Sequence, residues 1–161
     1  MIFVTVGTHE QPFNRLLEKI DSLIESGDIK EEVIAQIGYS TYAPKHYKYE
    51  KLIGYNQMQE YYRDARIIIT HGGPSSFVDA VMIKKVPIVV PRQAQFDEHV
   101  NDHQLEFSTE LESRGFPIKV ISNIDDLGDA IKNHKDDSTG YQSNNEKFVK
   151  GFEEIVESLF S

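Results

Sequence analysis

The chain has 161 residues, one domain's worth of core; 39% are hydrophobic, with eight Tyr and nine Phe, so it reads as folded rather than disordered. It has no cysteine, which excludes disulfides and thiolate metal sites and fits a reducing cytoplasm. A net charge of −9 makes it a poor non-specific ligand for nucleic acid or anionic membranes.

In chain order, Ile2–Val6 is apolar on both faces, as a central strand of a parallel sheet requires, and ends at Gly7. It is too short, and lacks the preceding basic region, for a signal peptide, and no later apolar stretch is long enough to span a bilayer. Residues 12–26 carry Phe13, Leu16, Leu17, Ile20, Leu23 and Ile24 on one helical stripe, stopped by Gly27. Val33–Ile37 reads as a second strand. The aromatic stretch from Tyr42, with Pro44, reads as a loop leading to a short strand near Glu50–Ile53. A helix over 56–65 turns Met58, Tyr61, Tyr62 and Ala65 inward.

Arg66–Thr70 contains a buried strand that ends at His71-Gly72-Gly73, and Ser75 or Ser76 can cap the helix that follows. Ile88–Val90 is a strand between two prolines. A helix is expected from about His99 to Ser113, a strand over Ile118–Ile121 and a helix over Ile124–Asn133. Residues 135–145 read as a polar loop. Phe148, Phe152, Ile155, Val156 and Leu159 form a terminal amphipathic helix, suited to packing on its own sheet or on a partner. Alternating strands and helices predict one α/β domain over 1–161, a parallel Rossmann-like sheet with helices on both faces.

Ligands of such sheets bind at the carboxyl ends of the strands. Three segments place chemistry there. In His71-Gly72-Gly73-Pro74-Ser75-Ser76, two glycines let backbone approach a ligand, and the following helix start offers free N–H groups and a positive dipole end to a diphosphate. Asp79, a turn further on, can accept from ribose hydroxyls. The same residues fit a plain tight turn with Ser76 and Asp79 as a capping pair. The Walker A and GxGxxG patterns are absent. Gly7-Thr8 is a second turn that can face phosphate, or a simple strand-to-helix turn. His9 beside it is a candidate base or phosphate ligand, though a lone His is more often structural.

The third segment, Pro91 to Gln104, is dense in polar side chains, which suggests recognition of sugar hydroxyls. His99 and His103 stand at i,i+4 on the expected helix, but a third metal ligand is missing. No Asp-x-Asp pair occurs, so no metal centre of that kind is expected.

These segments together resemble the C-terminal, donor-binding domain of glycosyltransferase family 28, over nearly the whole chain. Phe3-Val4-Thr5-Val6-Gly7-Thr8 is similar to the start of the soluble subunit of the eukaryotic dolichol-linked UDP-GlcNAc transferase. The extension His9-Glu10-Gln11-Pro12-Phe13 resembles more closely the small subunits of bacterial capsule and exopolysaccharide transferases. His71 through Asp79 is similar to the GT-B signature. By that match His71, Gly72, Gly73, Ser75 and Ser76 would face the diphosphate and Asp79 the ribose, where Asp is a methylene shorter than the usual Glu. Asn101-Asp102-His103-Gln104 is similar to the family's Asp-Asn-His-Gln segment, which would set His103 and Gln104 near the donor sugar.

The resemblance implies the C-terminal half of a GT-B enzyme: an inverting, metal-independent transferase with no cofactor that binds a UDP-sugar through Gly7, Thr8, the His71–Asp79 segment and Gln104. It implies a heterodimer with a membrane-anchored subunit that binds a lipid-diphosphate-linked saccharide and recruits this cytoplasmic chain to the inner membrane face. The transferred sugar would be galactose or a related hexose in β-linkage, in capsule or exopolysaccharide synthesis. The base would be His9 or a group on the partner. The alternatives are a non-catalytic accessory subunit and a nucleotide- or flavin-binding regulatory module; a sugar-nucleotide epimerase would need two domains in the chain.

Overall fold

The computed structural model describes residues 1–134; the expected polar loop 135–145 and terminal amphipathic helix lie outside the described residues. Six parallel strands make one sheet: β1 (Ile2–Thr5), β2 (Val33–Gln36), β3 (Lys48–Glu50), β4 (Ile67–Thr70), β5 (Ile88–Val89) and β6 (Lys119–Val120), in the order β3-β2-β1-β4-β5-β6. Ile2 to Thr5 pair in register with Val33–Gln36 on one side and Ile67–Thr70 on the other. Both flanks of β1 are therefore covered, which is why its four residues are buried and apolar or, at Thr5, internally hydrogen-bonded.

Alternation along β1 separates two layers. Ile2 and Val4 face α1 (Asn14–Glu25) and α5 (Leu127–Lys132), packing against Leu16, Leu17, Ile20, Leu127 and Ile131. Phe3 faces the opposite layer and meets Tyr62 of α2 (Tyr55–Asp64) and Ala80 of α3 (Pro74–Met82). Further along that layer Phe77 of α3 packs on Val89 and on Phe107 and Leu111 of α4 (His103–Ser113). Burying each such aliphatic or aromatic side chain contributes roughly 1.5–3 kcal/mol, so the two faces rather than helix propensity hold the fold. The expected α/β sheet with helices on both faces is present.

Four local expectations change. The helix at 74–82 starts two residues earlier than a serine cap allows: Gly73 is the N-cap, Pro74 is first in the helix, and no side chain caps it. Proline's fixed φ suits that first position. Asp79 therefore lies beyond the capping position, and Ser76 and Asp79 are not a capping pair.

The helix expected from His99 begins at His103. Asp97 adopts a left-handed φ of 57° after a 3-10 turn over Ala94–Phe96. Asn101 Oδ1 then accepts the His103 N–H, and Asp102 Oδ1 accepts the Ala94 N–H, so both side chains compete with helix formation. His99 and His103 thus do not share one helix face. The strand expected near Glu50–Ile53 is Lys48–Glu50, and the helix expected from Ile124 opens with a 3-10 turn, Ile124–Asp126, before α5. Among the described residues no helix is long and apolar enough to cross a membrane.

Candidate functional site

The strand order reverses between β1 and β4: one half of the sheet winds outward from β1, the other from β4. Their carboxyl ends stand side by side, Thr5 opposite Thr70. The chain leaves β1 through Gly7 and β4 through His71, so the two glycine turns meet where such sheets open a crevice. A cleft of about 430 Å3 lies there, walled by Thr5, Gly7, Thr8 and His9, by His71, Ser75, Ser76 and Asp79, and by Gln36, Ile53, Tyr55, Met58, Gln59 and Tyr62.

His71 is the hinge of this arrangement. Its ring is buried and fills the gap between the two turns. A Cβ on Gly7 would stand 2.4 Å from its Nε2, and one on Gly73 2.2 Å from its Cε1. Both glycines are therefore required by the imidazole, and Gly7 also adopts a φ of +76°.

The hydrogen bonds settle the tautomer. Gly73 N–H donates to Nδ1 at 3.1 Å, so Nδ1 carries the lone pair and Nε2 the proton, 3.1 Å from Ser76 Oγ. Burial, reinforced by the nearby Arg92 cation, pulls His71 down to about pKa 3. At neutral pH it is an uncharged donor to Ser76. The Ser76 hydroxyl, its oxygen occupied by His71, keeps its own proton for a ligand.

The floor is equally ordered. Thr5 Oγ1 accepts from Gly7 N–H at 3.2 Å and from Gln36 Nε2 at 3.3 Å. Tyr62 donates its hydroxyl to the Ser76 carbonyl at 2.9 Å, and burial raises its pKa, keeping it protonated. Above this, the first turn of α3 presents backbone N–H groups with no side-chain cap. Asp79 projects on the same wall with its carboxyl pKa raised by partial burial. The arrangement can bind an anion through neutral donors and a helix dipole and can hold hydroxyls through Asp79.

His9 lies in the cleft wall, stacked on His99 with ring centroids 4.5 Å apart. Gln11 fixes its tautomer. The Gln11 amide nitrogen donates to the Asp97 carbonyl, so its oxygen is the atom facing His9 Nε2 at 2.9 Å. His9 Nε2 then carries the proton and Nδ1 the lone pair.

The Pro91–Gln104 segment is different from the expected array of free polar side chains. Arg92 is wholly buried. Gln93 donates to the Ser122 carbonyl, Glu98 holds Arg15, and Asp102 holds the Ala94 amide. Gln104 Oε1 accepts from Gly72 N–H at 3.2 Å and from Arg92 N–H at 3.1 Å. It pins the β4 turn from behind, and a Cβ on Gly72 would strike its Cβ at 2.8 Å. Gly72, Gln104 and the exposed His103 are not among the cleft-lining residues. Among the described residues no three His, Asp or Glu side chains converge as a metal-ligand set.

Sequence reasoning missed Tyr62 and Gln36 as parts of the cleft, and read Arg92 within a polar sugar-facing segment rather than as a buried tie to Val6. Arg92 offered a signal, an arginine directly after a buried strand and its closing proline. The other two offered none, since Tyr62 counts as helix core and Gln36 as a strand end.

This strand order, with glycine turns and a bare helix end meeting at its switch point, defines an α/β domain of the Rossmann-like class. Residues 1–159 match the glycosyltransferase family 28 C-terminal domain, and the chain belongs to that family. Membership makes the fold that of a GT-B C-terminal half and supports sugar-transfer activity in the general sense. No match was found among curated proteins.

Proposed function

We propose that this chain is the donor-binding half of an inverting glycosyltransferase, holding a UDP-sugar in the cleft between β1 and β4. The carrying observation is the Ser76 hydroxyl, held by neutral His71 at the uncapped start of α3, with Asp79 one turn further on the same wall. The diphosphate sits against the α3 amides, Ser75, Ser76 and the Gly7–Thr8 turn; the ribose hydroxyls donate to Asp79. Gln104 acts by holding Gly72 in place.

In transfer, an acceptor hydroxyl attacks the anomeric carbon on the face opposite UDP, and the bond to the β-phosphate oxygen breaks with the electron pair leaving on UDP. Developing negative charge meets donors already in position, so no reorganisation is needed as the bond breaks. His9 Nδ1 is an imidazole lone pair in the chain's own cleft wall and is the local candidate base; a partner residue is the other source.

The acceptor, a lipid-linked saccharide, comes on a membrane-anchored partner subunit that covers the open cleft, whose wall carries exposed Tyr55. The reaction is metal-independent and transfers galactose or a related hexose in capsule or exopolysaccharide synthesis at the inner membrane face. Titration of the chain with UDP, and transfer assays with and without the partner and with chelator, test this. UDP binding that falls at least about fivefold in Ser76→Ala, with chelator-resistant transfer only by the pair, is expected. UDP binding unchanged in Ser76→Ala, or transfer abolished by chelator, would refute the assignment.

A further inference from the structure

Among the described residues none that lines the cleft is Lys or Arg, and one, Asp79, is an acid. A diphosphate there has the α3 helix end, worth about half an elementary charge, against a like-charged carboxylate. Directly behind the Gly7–Thr8 turn lies a full positive charge. The Arg92 side chain is 0% exposed and donates from Nη2 to the Val6 carbonyl at 2.7 Å, and from Nη1 to the carbonyls of Gln11 at 2.6 Å and Glu98 at 3.0 Å. Val6 and Gln11 bracket the turn. The guanidinium also lies 5.1 Å from the centre of the Phe13 ring.

Its charge is only partly compensated: the Glu98 carboxylate favours the charged form but is shared with Arg15. The nearest carboxylate, Glu98, gives both oxygens to Arg15, at 2.9 and 3.0 Å. The Arg92 Nε–H is buried with no acceptor. Three carbonyls can be tied by neutral donors, whereas a buried cation without a carboxylate of its own is costly. The positive charge therefore calls for a reason beyond tethering. Burial lowers Arg92 only to about pKa 10, so the cation persists at neutral pH, and its field reaches the cleft, where it is the second cause of the lowered His71 pKa.

We infer that Arg92 is the cation that serves the diphosphate, acting from behind the Gly7–Thr8 turn without contact: it fixes the turn through Val6 and Gln11, and its charge favours an anion in front of it. The inference rests on the donor-site reading above. Arg92 is on this account a positioning residue, distinct from Ser76 and the α3 amides, which touch the ligand.

The test is calorimetric titration of the full chain with UDP and, separately, with uridine, in wild type, Arg92→Gln and Arg92→Lys, with thermal unfolding to confirm that each variant is folded. A fixed charge within about 10 Å at an effective dielectric near 20 favours an anion by roughly tenfold or more. Arg92→Gln should lose about that factor in UDP affinity while uridine affinity stays within about twofold. Arg92→Lys, which keeps the charge, should hold the UDP-to-uridine ratio within about threefold of wild type.

A proportional loss of both ligands in Arg92→Gln would reduce Arg92 to a structural tie and overturn the inference. So would a collapsed ratio in Arg92→Lys, which decides alone if Arg92→Gln does not fold. Wild-type protein that binds neither ligand would overturn the donor-site reading itself, and the inference with it.

Discussion

Acidification should destabilise this protein through His71. The ring titrates near 6.5 in an unfolded chain and near 3 when folded, because burial and the Arg92 charge oppose its protonation. Between those values the unfolded state binds a proton that the folded state does not. Stability therefore rises with pH across that window: the contribution is complete above about pH 6.5 and is lost progressively as pH falls toward 3. At about pH 4.5, two units below the unfolded value, the loss amounts to roughly 2.7 kcal/mol. Urea unfolding of wild type and His71→Asn, at about pH 7.5 and 4.5, isolates it. The variant starts less stable, having lost the packing between Gly7 and Gly73, but lacks this proton. Wild type should lose about 2–3 kcal/mol more than the variant between the two pH values. Equal losses would show that the His71 ring is not held neutral, and the donor role assigned to it toward Ser76 would go with that.

Three further substitutions separate the parts of the site. Gly73→Ala should displace the His71 ring, because the new Cβ falls 2.2 Å from Cε1. It should cost about 1–3 kcal/mol in unfolding free energy and weaken UDP binding in titrations. Asp79→Asn should weaken uridine by about threefold to tenfold, since it touches the ribose, and UDP by a smaller factor, since it also removes the carboxylate charge that opposes the diphosphate. Asp21→Ala removes the buried acceptor of the Tyr42 hydroxyl and of the Lys45 and His46 N–H groups, at 2.8 and 2.9 Å for the two amides. It should lower denaturant stability by about 2–4 kcal/mol with UDP affinity unchanged in the fraction that folds.

The fold was legible because its signals are local and repeated. A strand buried on both faces reads as an unbroken apolar run, and Ile2–Val6 and Ile67–Ile69 are such runs. Gly7 and His71-Gly72-Gly73 were legible as glycine turns closing two strands, and the structure sets the two turns side by side around the His71 ring. What stayed hidden depends on long-range partners. The polar density of Pro91–Gln104 looked like a surface for sugar hydroxyls, yet Glu98 serves Arg15, 83 residues away, and Arg92 serves Val6, 86 residues away. No periodicity encodes such pairings. The helix start at His103 instead of His99 turned on two side-chain hydrogen bonds that helical spacing does not anticipate.

The two histidines of the cleft illustrate how geometry divides roles that residue type cannot. His71 has both ring nitrogens committed inside the protein, Nδ1 to the Gly73 amide and Nε2 to Ser76. With its charged form suppressed as well, it has no atom at which to exchange a proton with a ligand, so it can only position. His9 has one nitrogen committed, Nε2 to Gln11, and its ring stacked on His99, which fixes the plane and leaves the Nδ1 lone pair free. On the donor-site reading, the residue deepest in the signature is thus the scaffold, and the more weakly patterned one keeps the chemistry open. On the donor-site reading the same division runs through the charges: the groups facing the diphosphate are neutral donors and a helix end, while the full cation stands one layer back, where it cannot pair with the leaving group and retain it.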